Sequence, residues 1–328
     1  MAASRFRALG HEIAGRYTSI GGHDGTIAPR RRILDPAIAE TAADAGAEIR
    51  LGERVVGVIG AGTEEDPARG VELAGGERLE APWVFGADGR GSFVAGALGI
   101  ERERPLAGEL SMTWGYWRGM PDDGNATLQI EPDRILSRFP IEDGLQMLIL
   151  MRDAELVRGS PAERRAKYEA GIREFPETLP AEAIDRAELT EDVTIAPESI
   201  SRGFFRRPTG PGWALVGDSS HFKHPGTAQG ICDAVEQALY IAEALSGANP
   251  TLDGYEAWRD ERASEHYEWS FSWGRFPRPE TSGPLFRGLA FDPDAGQDLR
   301  DSFSRLVEPS QVMTKERLGR WFAEAAPG

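Results

Sequence analysis

A chain of 328 residues, 40% hydrophobic and 27% charged, is long enough for two domains of about 150 residues, each with its own core. Its 37 Lys and Arg against 53 Asp and Glu leave a net charge of −16, which repels phosphate backbones and anionic bilayers, so neither nucleic acid nor membrane is an expected partner. No apolar stretch approaches the roughly 20 residues of a bilayer span, the first residues do not read as a secretory leader, and the single Cys232 excludes an internal disulfide, so a reducing compartment, the cytoplasm, is the expected location.

Asp35 reads as an N-cap and Pro36 as the first position of a helix running to residue 45, with Gly46 as its stop. Residues 48–59 read as a strand. Gly60-Ala61-Gly62 follows it and resembles the start of a dinucleotide fingerprint, but the third glycine would fall on Glu65. Pro67 and its charged neighbours leave no helix N-terminus for a pyrophosphate, so this segment is expected to be a hairpin loop. Residues 71–79 form a hairpin about Gly75-Gly76. Residues 83–85 are a short strand that enters Gly86-Ala87-Asp88-Gly89-Arg90-Gly91-Ser92 and then a helix over 94–98.

In the middle, Leu110, Met112, Trp114 and Tyr116 alternate with small or polar residues, which is strand periodicity. Residues 127–130, 134–139 and 145–151 continue it as an antiparallel sheet, and a helix covers 162–174. Residues 214–216 are a short buried strand ending in Gly217-Asp218-Ser219-Ser220-His221. Beyond it, Ile231, Ala234, Val235, Ala238, Ile241, Ala242 and Leu245 fall at spacings of three and four. They predict a helix with that stripe buried and Asp233, Glu236, Gln237 and Glu243 turned outward, Cys232 being a small core residue. An aromatic-rich helix follows Asp253, and short helices close the chain.

Two of these segments carry chemistry. Both are strand–turn–helix junctions with an Asp beside a Gly, which allows a sharp turn and close backbone approach. A carboxylate there accepts hydrogen bonds from sugar-type hydroxyls, and a helix opening near Ala228 aims unsatisfied amides at an electron-rich ligand. His221 and His224 find no Cys or carboxylate pattern to complete a metal site, so no metal is expected. There is also no nucleophile elbow for a hydrolase.

The pair Asp88-Gly89 and Gly217-Asp218, the latter followed by His, Pro and Thr227-Ala228-Gln229-Gly230-Ile231, resembles the DG and GD motifs of the FAD-dependent monooxygenases with the para-hydroxybenzoate hydroxylase-like fold. Residues 27–35, with Arg30, resemble the arginine-bearing stretch of the same family. The resemblance implies an α/β FAD-binding Rossmann-like domain interrupted by an antiparallel-sheet substrate domain. Its segments would be 1–105 for the FAD-binding part, 106–200 for the sheet, 201–250 for the return segment and 251–328 for a helical end.

The resemblance further implies that Asp218, beside Gly217, binds the ribityl hydroxyls of FAD. Pro225, Ala228, Gln229, Gly230 and Ile231 would lie along the flavin ring, their amides near its N1 and O2. Asp88 and Gly89 would sit near the pyrophosphate and the approach of NAD(P)H, the expected co-substrate, and Arg30 would neutralise the pyrophosphate or contact the nicotinamide nucleotide. Met112, Trp114 and Tyr116 would wall the pocket of a small, aromatic substrate hydroxylated with O2. No side chain is singled out as catalytic, because the flavin carries the chemistry.

The departures are specific. The family opens with a βαβ unit carrying G-x-G-x-x-G, and no such unit is recognisable here. Its lack exposes a sheet edge and an apolar face. An upstream segment or a separate chain would then supply the unit, or the chain is a truncated, non-catalytic homologue that binds FAD weakly or not at all. A flavin reductase or halogenase of the same fold is the other alternative. Ala95, Ala228, Cys232 and Gln237 stand where Arg, Gly, Asn and Asp are common in the family.

Overall fold

The computed structural model describes residues 1–248 and 250–325. The chain is a mixed α/β protein that divides into two compact units. The first comprises Met1–Glu40, Glu109–Ser201 and the described residues from Gly274 onward; the second comprises Thr41–Gly108 and Arg202–Trp273.

The first unit is built on an eight-stranded sheet. Its path runs Glu188–Leu189, Ser111–Arg118, Leu145–Arg152, Arg134–Pro140, Asn125–Glu131, Ala3–Ala8 and His11–Arg16, and Thr194–Ile195 also pairs with Ser111–Arg118. All neighbours are antiparallel except Ala3–Ala8, which runs parallel to Asn125–Glu131. Alternation decides the faces. Trp117, Leu136, Leu148 and Leu150 pack against Tyr168, Ile172 and Phe175 in one buried cluster. Each such side chain contributes on the order of 1.5–3 kcal/mol by burial. The Pro161–Ile172 helix that supplies Tyr168 starts from a Ser160–Glu163 capping box. Met112, Trp114 and Tyr116 alternate with Trp117's side of the strand and so occupy the opposite face.

The second unit holds three small sheets. Val84–Gly86 runs parallel to Trp213–Leu215, which is fully buried and is flanked on its other side by Thr209–Gly210. Among the described residues no strand pairs with the second edge of Val84–Gly86, and Phe85 there is 44% exposed. The helices Gly230–Ser246 and Tyr255–Trp273 complete the unit. Ile241 and Tyr255 pack with Ala214, while Tyr267 and Phe271 pack with Phe205.

Two local expectations are corrected. The first helix is Arg31–Asp44, so Pro36 lies inside it and Asp35 is not its cap. Asp35 instead pairs with Arg31 one turn back, an i,i+4 ion pair that supports the early start. The strand expected over 48–59 is only Val55–Ile59. Gly52 takes a φ of +76° and Leu51 points into solvent, so the extended run has nothing to pair with. The segment after Ile59 is the loop of an antiparallel hairpin with Gly70–Leu73, as expected, and Gly62 is held there by a hydrogen bond from Trp213 Nε1 to its carbonyl at 3.2 Å.

Candidate functional site

The two Asp-bearing turns meet in the second unit. Val84–Gly86 delivers the turn with Asp88, and Trp213–Leu215 delivers the turn with Asp218. Because the strands are parallel neighbours, their C-terminal ends lie side by side. Asp88 ties the turns together. Its Oδ2 accepts from the Val94 amide at 3.0 Å and its Oδ1 accepts from Ser219 Oγ at 3.1 Å. Burial works to raise the Asp88 pKa, but hydrogen bonds from Ser92, Val94 and Ser219 outweigh it and hold the carboxyl below its ordinary value. Gly89 has a φ of +75°, and a Cβ there would meet nothing within 4 Å, so the turn is open beside it.

Gly217 takes a φ of +62° and buries its amide, which donates to Gln237 Oε1 at 2.7 Å. Asp218 follows, half-buried, on the 3-10 turn Gly217–Ser219. A Cβ placed on Gly230 would lie 3.7 Å from Asp218 Oδ1, so this carboxylate stands at the opening of the Gly230–Ser246 helix. The loop between them is a 3-10 turn, Pro225–Thr227, capped by the His224 ring, which accepts from the Gly226 amide at 3.1 Å. Ala228 then adopts φ 55°, ψ 27°, the left-handed region. Gln229 is buried and turns the chain into the helix. The first-turn amides of Gly230, Ile231 and Cys232 have no acceptor among the described residues.

The left-handed backbone at Ala228 is one that glycine adopts without strain. A Cβ there costs roughly 1–2 kcal/mol, less the entropy that glycine loses on folding. Ala228→Gly is expected to stabilise the chain by about 1 kcal/mol, read as a rise in the unfolding temperature; a fall would show that the backbone takes another conformation there.

The helix shows which signals the sequence hid. Asp233, Gln237 and Ile241 are its buried positions, whereas Ile231 and Val235 are each 47% exposed and Leu239 is 64% exposed. Of the expected apolar stripe only Ile241 is buried, Ile231, Val235, Ala238 and Ala242 face out, and Cys232 is exposed rather than in the core. The polar side faces in because it serves the turns. Asp233 pairs with the buried Lys223 at 2.7 Å, and Lys223 Nζ donates to Gln229 Oε1 at 3.2 Å. Gln237 Oε1 lies 3.1 Å from both Ser220 Oγ and Tyr255 Oη, while its Nε2 meets His221 Nδ1 at 3.3 Å. Burial first, then the charge of Lys223, pushes His266 down to about 4. None of Lys223, Asp233, Ser219 or Gln237 was picked out as a site residue, although Asp233, Gln237 and Ile241 share one helical face at four-residue spacing.

The remaining candidates lie in the first unit. Arg30 is buried and pairs with Glu142, with Glu191 at 3.3 Å and with Asp143 at 3.4 Å, its guanidinium 5.3 Å from the Tyr116 ring centroid. Met112 is buried, and Trp114 and Tyr116 are half-buried on the same strand face, with Trp114 Nε1 donating to Tyr116 Oη at 3.3 Å. Among the described residues no group of three or more His, Cys, Asp or Glu stands close enough to hold a metal ion. No described helix is long and apolar enough to cross a membrane.

A parallel strand pair ending in two Asp-bearing turns, followed by a helix with open amides, is the framework of a dinucleotide-binding α/β fold. The chain belongs to the FAD binding domain family of the FAD-dependent monooxygenases, whose model matches residues 20–270. It is 27% identical over 292 residues to the rifampicin monooxygenase of Streptomyces venezuelae, covering 80% of this chain and 57% of that protein. It is 28% identical over 222 residues to the 3-demethoxyubiquinol 3-hydroxylase of Escherichia coli, covering 62% and 52%. The chain thus spans about half the length of the curated relatives it matches. Its fold is that of a flavoprotein/dehydrogenase from Cytophaga hutchinsonii, with a TM-score of 0.75 at 16% identity, covering 99% of this chain and 83% of that one. It also resembles 2-methyl-3-hydroxypyridine-5-carboxylic acid oxygenase, with a TM-score of 0.64 at 20% identity, covering 93% and 80%.

Proposed function

We propose that this chain binds FAD through its second unit and serves a monooxygenase reaction, with NAD(P)H as reductant, O2 as co-substrate and a small aromatic molecule as the acceptor of oxygen. One observation supports this reading above the others: the acceptor-less amides of Gly230, Ile231 and Cys232 open beside the Asp218 carboxylate, straight after the left-handed Ala228. Bound FAD supplies the electron transfer and the activation of O2. The chain's residues bind, orient and exclude water. Asp218, held by the Gly217 turn, accepts hydrogen bonds from the ribityl hydroxyls. The loop with Pro225 lies along the flavin ring. The amides of Gln229, Gly230 and Ile231 donate to its pyrimidine edge and favour negative charge there. Asp88 and Gly89 face the diphosphate. In the first unit the face with Met112, Trp114 and Tyr116 meets the substrate, the tyrosine hydroxyl offering a polar handle. Arg30 holds the first unit together through its three carboxylates. We place the protein in the cytoplasm.

A second reading has its own observation. The unpaired edge of Val84–Gly86 and the outward Ile231, Val235 and Leu239 are what a strand and a helix of a βαβ unit would cover. We propose that an upstream segment or a separate chain supplies that unit, and that the chain without it holds FAD weakly and is non-catalytic. The visible spectrum of the purified chain with added FAD tests both. Flavin bands that remain after desalting support the first reading. Bands retained only when a G-x-G-x-x-G strand–helix segment is provided support the second. A chain that stays colourless in both cases contradicts the flavin reading.

A further inference from the structure

Lys223 stands where two acceptors meet. Its buried ammonium lies 2.7 Å from a carboxylate oxygen of Asp233 and donates to Gln229 Oε1 at 3.2 Å. Those two acceptors bracket one turn of backbone. Gln229 is the N-cap of the Gly230–Ser246 helix, and Asp233 is the acid of its first turn. The Gln229 carbonyl accepts from the Asp233 amide at 3.0 Å, which closes the turn. Between them stand Gly230, Ile231 and Cys232, all exposed, whose amides have no acceptor among the described residues.

Amides at the start of a helix ordinarily recruit a side chain of their own. An N-cap oxygen accepts from the second or third of them, and an acid in the first turn is drawn to their partial positive charge. Both kinds of group are in place here and neither serves. The Gln229 side chain makes no capping hydrogen bond, and none of the three amides donates to the Asp233 carboxylate. Both side chains are buried and turned to the same ammonium. Burial explains the choice for Asp233, because a buried carboxylate gains more from a full opposite charge than from the partial charge of an amide. His221 Nε2, 3.5 Å from the same Asp233 oxygen, flanks it on the inner side, its ring stacked on Phe205. Lys223 also offsets the Asp233 charge, which would otherwise oppose an electron-rich ligand at that end of the helix.

We propose that Lys223 is a positioning residue: by holding the Gln229 amide oxygen and the Asp233 carboxylate inside, it keeps the amides of Gly230, Ile231 and Cys232 open to a ligand. The inference rests on the flavin reading above for the identity of that ligand, but the opening of the amides is measured without FAD. The test follows amide hydrogen exchange residue by residue, by NMR, in the FAD-free full chain. In wild type the three amides exchange freely. Lys223→Met releases both acceptors and is expected to slow that exchange about fivefold, the effect of one ordinary hydrogen bond. Loss of structure would not slow it. Should Lys223→Met fail to fold, Lys223→Met/Asp233→Leu lacks both charges of the pair, leaves Gln229 as the released acceptor and gives the same slowing. Adding Gln229→Met to that pair removes the last acceptor and returns the exchange to the wild-type rate. FAD titration should follow the same order, with binding about fivefold weaker in Lys223→Met/Asp233→Leu and recovered in the triple variant. Exchange in this order with no FAD binding by wild type keeps the role of Lys223 and removes the flavin reading. Unchanged or faster exchange in both Lys223 variants, or no return in the triple variant, overturns the proposal.

Discussion

Lys223→Met is expected to destabilise the chain by roughly 3–5 kcal/mol, the cost of leaving a buried partner charge uncompensated. Lys223 and Asp233 are each no more than 5% exposed as side chains and lie 2.7 Å apart. Methionine keeps the length and removes the ammonium, while His221 Nε2 stays 3.5 Å from the Asp233 carboxylate. The pair also brackets the 225–229 loop, since Lys223 precedes it, Asp233 follows it, and Lys223 holds the Gln229 side chain inside. The double substitution Lys223→Met with Asp233→Leu should therefore recover most of the stability but not the loop order. Denaturant unfolding of the three variants measures this. A single variant as stable as wild type would show that the buried pair is dispensable.

Gln237→Leu is the second large effect, at least about 1–3 kcal/mol. Leucine keeps the volume but leaves the buried Gly217 amide without its acceptor at 2.7 Å. The Ser220 hydroxyl loses an acceptor as well. Tyr255 loses less, because its single proton has the Leu215 carbonyl at 2.9 Å as an alternative. The damage falls on the turn that presents Asp218, so any FAD affinity should fall together with stability. Gln237→Glu keeps the acceptor and should preserve the turn. Unfolding free energies and FAD titrations of both variants give the comparison; equal losses in the two would place the effect outside this hydrogen bond.

The sequence disclosed the fold where local chemistry was decisive. Alternation in Leu110 to Tyr116 marked the central sheet, and glycine beside aspartate at a strand end marked both turns. What stayed hidden was hidden for physical reasons. The residues of the Gly230–Ser246 helix make two faces at helical spacing, and periodicity alone cannot say which is buried. The apolar face lost because the turns beside it present the Gly217 amide and the Lys223 ammonium, which Gln237 and Asp233 help to satisfy. Arg30 carried a motif-like setting, yet its partners Glu142, Asp143 and Glu191 are more than a hundred positions away.

FAD binding by this chain is expected to turn on one carboxylate, Asp218. Calorimetric titration of FAD into the intact chain and into Asp218→Ala, with the exposed Asp253→Ala as control, tests it most directly. A hydrogen-bonding carboxylate facing the sugar-alcohol chain predicts that Asp218→Ala binds at least tenfold more weakly, a loss of about 1.4 kcal/mol, while the control binds as wild type does. Equal FAD affinity in all three proteins would contradict it.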